Sequence, residues 1–121
     1  MADTPTQPLL AANLAEGMKV KSRDGKAIGA VHAFMIHKRS GRAMYAVLSL
    51  GGFLGIGKAY YAVPVALLAY DFAADQYVAS VEPKVLEGGP SWTSTAPEFD
   101  QDYADRVASY YSADKQDLEI G

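Results

Sequence analysis

In this 121-residue chain, Gly52-Phe53-Leu54-Gly55-Ile56-Gly57-Lys58-Ala59 comes nearest to a chemical motif. It almost reproduces the glycine-rich loop that cradles nucleotide phosphates. That loop needs Ser or Thr after the Lys to ligate magnesium, and here Ala59 stands in that place. It also needs a following helix whose N-terminus faces the phosphates. Ala59-Tyr60-Tyr61-Ala62-Val63 has the texture of a strand instead. The block therefore reads as a tightly turned loop, with Phe53, Leu54 and Ile56 packing inward or meeting a partner.

His32 and His37 are the two histidines. Five apart on one strand, they point to opposite faces and cannot share a metal, and a catalytic zinc site wants three such ligands. His32 reads as a satisfied core or interface histidine and His37 as a solvated turn residue. The absence of cysteine removes disulfides, thiolate zinc sites, iron–sulfur ligation and a Cys nucleophile. No serine lies in a Gly-x-Ser-x-Gly elbow. Asp100, Asp102 and Asp105 cluster in sequence, but an exposed helix face offers no pocket to push two carboxylates apart in pKa. No catalytic residue, metal ligand or cofactor is expected, and the chain does not read as an enzyme.

Lys38, Arg39 and Arg42 gather in one turn, with Lys19, Lys21, Arg23 and Lys26 in the neighbouring hairpin. If the hairpins adjoin, as sequential strands usually do, they form a basic rim suited to RNA phosphates or acidic lipid heads. The competing reading is a solvated turn screened by the acidic tail. Residues 17–89 carry nine Lys/Arg against five Asp/Glu, and residues 90–121 carry two against seven. A mildly basic body thus precedes an acidic tail. That falls well short of the footprint of a dedicated nucleic-acid binder, so a nucleic-acid partner is not expected.

The elements that must position these residues are mostly strands. Half the chain is apolar and 21% is charged, a globular composition. Residues 1–8 read as a flexible start, with Leu9, Leu10 and Leu14 docking on the body. Met18-Lys19-Val20-Lys21 alternates like a half-buried strand, and Asp24-Gly25 marks a hairpin turn. Residues 27–36 are apolar on both faces, with Ile28, His32, Phe34 and Ile36 on one and Val31, Ala33 and Met35 on the other. Such a strand is central or covered on both sides. Gly41 supplies a left-handed turn residue before a strand over 43–50. Pro64 ends the strand 59–63. One helical turn at 65–68, a hairpin around 73–75 and a further turn at 82–86 follow. Short strands at this spacing predict a small barrel or sandwich.

The tail predicts a helix over 97–111. Thr95-Ala96-Pro97-Glu98 has capping-box spacing. Phe99, Tyr103, Val107, Tyr110 and Tyr111 recur on one amphipathic face, which must bury on its own barrel or on a second copy. This face and the apolar loop predict a homodimer. No apolar run reaches the roughly 18 residues of a membrane helix, and the first residues lack the basic stretch of a secretory signal. Without cysteine as well, a cytoplasmic protein is expected.

The strings Gly25-Lys26-Ala27-Ile28-Gly29-Ala30-Val31, Ser40 to Ser49, Gly51 to Gly57 and Ala62-Val63-Pro64, ending near Pro90-Ser91-Trp92, resemble a PRC-barrel domain. This β-barrel is named for the H subunit of the photosynthetic reaction centre. The resemblance covers about residues 9–92, leaving 93–121 as an acidic tail with its helix, and is nearest to the stand-alone bacterial type. His37 stands where the family often has an acidic residue, and Val65 where it often has Trp. The resemblance implies a mainly β fold, a small PRC-type β-barrel of five to six antiparallel strands with a C-terminal amphipathic helix. It also implies a non-catalytic scaffold or adaptor for protein–protein assembly. Relatives sit on the cytoplasmic side of a membrane complex, or form half of a ribosome-maturation factor that binds a ribosomal protein. The partner here is an unknown protein, with peripheral contact to a membrane complex left open. The alternative is a regulatory module binding a small ligand or an anion.

Overall fold

The computed structural model describes residues 15–51, 57–114 and 118–120. The strands are β1 (Lys19–Ser22), β2 (Ala27–Ile36), β3 (Ala43–Leu50), β4 (Ala59–Pro64), β5 (Leu68–Asp71), β6 (Gln76–Ala79) and β7 (Ser91–Trp92). A 3-10 turn at Val65–Leu67 links β4 to β5, a short helix α1 (Pro83–Glu87) follows β6, and α2 spans Gln101–Tyr111.

The strands form a single sheet in the order β5-β6-β1-β2-β3-β4-β7. All neighbours are antiparallel except β1 and β6, which run parallel. This corrects the expected five to six antiparallel strands in a barrel. Among the described residues there are seven, one pairing is parallel, and the sheet is open, with β5 and β7 at its two edges. The extra strand is β7, two residues that pair with Tyr60 and Tyr61 of β4. Rather than close on itself, the sheet covers its β3–β4 face with α2, whose Tyr103, Ala104, Val107 and Ala108 are buried against Met44, Tyr45 and Ala62. No helix among the described residues is long and apolar enough to cross a membrane.

Strand β2 does not keep the strict alternation read from its sequence. Val31 pairs with Leu48 and Ala33 with Val47, so His32 is an extra residue on β2. Val20 pairs with Gly29 and Lys21 with Ala27, so Ile28 is another. Each bulge shifts the side-chain phase by one residue. As a result Ile28, Val31 and Phe34 all reach the same core, while His32 turns outward. The strand buried along nearly its whole length is β3, where residues 44–48 are all buried.

That burial divides the interior into two clusters. Val20, Val31, Ala46, Leu48, Val63, Ala79 and Leu86 form one under β1, β2, β6 and α1. Met44, Tyr45, Ala62, Tyr103, Val107 and Leu118 form the other, beneath α2. Each fully buried aliphatic side chain contributes about 1.5–3 kcal/mol relative to exposure.

The helix start also differs from expectation. Asp100, not Thr95, is the N-cap, and its carboxylate accepts from the Tyr103 N–H at 2.9 Å. An Asp with extended backbone satisfies a free helix donor directly. The run from 97 to 100 is therefore a lead-in, and the helix begins at Gln101.

Candidate docking groove

The turn between β2 and β3 is built around His37. Its backbone closes the hairpin, with His37 N–H donating to the Arg42 carbonyl at 2.9 Å and Gly41 N–H donating to the His37 carbonyl at 2.8 Å. Gly41 has φ of +74°, a backbone that L-residues disfavour. The imidazole does more. Its Nδ1 accepts from the Arg39 N–H at 3.2 Å and the Ser40 N–H at 3.3 Å. A ring nitrogen that accepts carries no proton, so the proton is assigned to Nε2. Nε2 donates to the Ile120 carbonyl at 2.9 Å.

His37 therefore ties the basic turn to the C-terminal stretch. The Ile120 N–H in turn donates to Gln101 Oε1 at 3.2 Å, and Leu118 is buried in the helix–sheet cluster. The expectation of a solvated His37 is corrected: the ring is half-buried and has three backbone partners. Sequence spacing gave no signal of this link, because Ile120 is 83 residues away.

Beside this link lies a groove of about 640 Å³. Met35, Ile36, Met44, Tyr45, Phe99 and Ile120 line it, and Lys38 and Arg39 stand at its rim. Ile36 is 47% exposed, while Met44 and Tyr45 are buried at the base. Met44 is an extra residue on β3, since Tyr45 pairs with Met35 and Ala43 with Ile36. Phe99 holds the far wall, 5.5 Å from the Tyr45 ring and 5.2 Å from Tyr103. Burial pushes the Tyr45 phenol up to about 12, which keeps it uncharged even at a pH where an ordinary phenol ionises. The result is an apolar trough with a cationic lip.

The basic residues named from sequence divide between sites. Lys38, Arg39 and Arg42 share one exposed turn, as read. The β1–β2 turn with Arg23 and Lys26 lies at the opposite end of β2, a ten-residue strand spanning about 30 Å at about 3.3 Å per residue. The continuous basic rim is therefore corrected to two separate turns. Lys21 pairs with Asp71 at 2.8 Å, and Lys26 faces Asp24 at 3.9 Å.

The helix face meets its own sheet. Tyr103 and Val107 are buried, and Phe99 packs between Tyr45 and Trp92. Tyr110 is exposed, but its hydroxyl donates to the Val85 carbonyl of α1 at 2.5 Å. Tyr111 is half-buried between the two clusters, where burial raises its phenol pKa. Of the two covers considered from sequence, the same chain supplies this one.

Phe53, Leu54 and Ile56 lie outside the described residues, as do Leu9, Leu10 and Leu14. Lys58 is followed by strand β4, as its sequence indicated. His32 is exposed on its bulge with its ring 4.6 Å from that of Tyr60. Asp100 caps α2, and Asp105 accepts from Gln101 Nε2 at 3.0 Å. Among the described residues no three His, Asp or Glu side chains come together as a metal-binding group.

Comparison with known proteins gives one family and a set of similar solved structures. The family model described as PRC-barrel domain matches residues 10–85. No curated protein matches the chain. A crystal structure from Pseudomonas aeruginosa, described as a 16S ribosomal RNA processing protein RimM, is similar at 13% identity with a TM-score of 0.42. The similarity covers 69% of this chain and 50% of that one, so the chain spans half the length of the protein it matches.

Proposed function

The chain belongs to the PRC-barrel domain family, and from that premise we propose that it is a non-catalytic adaptor that docks a protein partner in the groove between the β2–β3 turn and α2. One observation carries this reading. Ile36 is a large aliphatic side chain left 47% exposed, set over an apolar floor and beside the cations of Lys38 and Arg39. An apolar centre with a charged rim is the anatomy of a specific protein interface. The reading places the module in the cytoplasm, with no turnover of its own.

The test is co-purification. The tagged full-length chain is gently crosslinked in its native cell and recovered beside an Ile36→Glu variant. A stoichiometric protein partner is expected with the original chain and should be lost with the variant. A partner retained undiminished by the folded variant would overturn the groove as its seat. Recovery of only the chain itself, with a dimer by light scattering, would replace the adaptor with a self-contained homodimer. The helix face no longer argues for that dimer, since it is covered internally.

A second reading has its own support. A cavity of about 660 Å³ is lined by Lys19, Lys21 and Lys58 together with Ser49 and Gln76. The Lys21 ammonium is held by Asp71, which leaves those of Lys19 and Lys58 to suit a small anion. Binding to the native state must raise the melting temperature. A phosphate or dicarboxylate that does so in the original chain, and not in a Lys19→Ala/Lys58→Ala variant, would favour the small-ligand module.

A further inference from the structure

One wall of the groove is a piece of this chain's own acidic tail. Leu118 is 1% exposed, Glu119 is exposed and Ile120 lines the wall. That is one carboxylate between two apolar anchors. The backbone of Ile120 is gripped on both sides, by Gln101 at its N–H and by His37 at its carbonyl. Beyond Ile120 the same floor continues past Phe99 and Met44 to Met35 and Ile36, with Ile36 half open to solvent. Lys38 and Arg39 have no acidic partner among the described residues.

We propose that the groove recognises a protein segment of the same chemistry, with acidic residues interspersed among aliphatic anchors. This inference rests on the adaptor reading above and names the kind of segment the partner presents. Apolar anchors cover Ile36 and Met35, extending the surface that Ile120 covers in part. The partner's carboxylates face Lys38 and Arg39. Methionine thioethers on Met35 and Met44 adapt to anchors of different shape. The rim charges set orientation and reject basic segments, because like charges brought together at an interface are costly. A floor of Met, Ile, Phe and the buried Tyr45 offers little to a phosphate backbone, and the two cations at the rim are few for RNA or a lipid surface.

The experiment is an amide chemical-shift titration of the full chain. Three synthetic peptides serve as probes: Asp-Leu-Glu-Ile repeated twice, Lys-Leu-Lys-Ile repeated twice, and Asp-Ser-Glu-Ser repeated twice. The first should give saturable shifts at Ile36, Lys38, Arg39 and Met44, and the other two none. The Lys38→Glu/Arg39→Glu variant should weaken that binding by about tenfold, and Ile36→Ser should weaken it with the charges intact. No saturable shift at about 1 mM of the first peptide, the weak end of specific recognition, would overturn the proposal. Equal binding of the basic or the serine peptide would do the same. So would shifts at these residues with oligouridine or phosphatidylglycerol vesicles and none with the peptide. If the peptides fail while co-purification still depends on Ile36, only the acidic chemistry falls. If co-purification is also indifferent to Ile36, the adaptor reading falls with it.

Discussion

The hydroxyl of Tyr111 lies 2.5 Å from the point that a Cβ on Gly89 would occupy. A methyl group there would have to push the Tyr111 ring aside, so the end of α2 packs this closely because Gly89 has no side chain. Tyr111 also packs against both core clusters. Gly89→Ala should destabilise the fold by about 1–3 kcal/mol, the usual cost of overpacking. Adding Tyr111→Phe removes the colliding oxygen and should recover part of that loss. Urea unfolding of the two single variants and the double variant checks this. Strict additivity would mean that the two residues do not share the contact.

The His37 ring holds two amides of the basic turn. Replacing it by Ala should cost about 1 kcal/mol, as a few partly exposed neutral hydrogen bonds do. The more specific readout is local. Amide exchange at Arg39, Ser40 and Ile120 should speed up by about tenfold or more, while exchange in β3 stays unchanged. Unchanged protection at Arg39 and Ser40 would show that the ring does not hold the turn.

Lys21 hydrogen-bonds Asp71 and holds its carboxyl below the ordinary value of 3.8. A carboxyl depressed in the folded state contributes stability above its unfolded pKa. That contribution is lost as pH falls through the lower folded value. Lys21→Met should therefore be less stable than the original chain at pH 7. The gap should close in strong acid, once Asp71 is protonated in both states. Chemical denaturation across the acid range tests this, and a gap that persists unchanged would assign the loss to packing of the Lys stem.

Tyr45 is buried, its hydroxyl has no hydrogen-bond partner among the described residues, and burial pushes its pKa up to about 12. Raised in the folded state, it contributes stability that is complete below pH 10 and lost as pH rises toward 12. Tyr45→Phe deletes a buried polar atom without a partner. It should leave stability at pH 7 unchanged or higher by up to about 1–3 kcal/mol, and should flatten the alkaline decline. A loss above about 2 kcal/mol at pH 7 would reveal a partner for that hydroxyl.

Much of the fold was legible because local chemistry decided it. Gly25 and Gly41 both have positive φ in the turns read from sequence, Pro64 closes β4, and Tyr103 and Val107 mark the buried side of α2. The bulges at Ile28 and His32 were not legible. An extra residue is set by the register of a neighbouring strand, which one strand's pattern does not encode. The helix start differs from the capping-box spacing because Thr95 and Asp100 both carry capping signals, and backbone geometry selects Asp100. The groove drew partly on a visible cluster, Lys38-Arg39. Its other half, Ile120 held by His37 and Gln101, comes from the far end of the chain and becomes visible only in three dimensions.

The central claim is that the surface around Ile36 seats a protein partner. A photo-crosslinking amino acid placed at position 36, and at the exposed Phe72 as a control, tests it most directly in the native cell. The account predicts one discrete adduct from position 36, abolished by Lys38→Glu/Arg39→Glu, and none from position 72. An adduct from position 72 alone, or the same adduct from both positions regardless of the charge reversal, would contradict it.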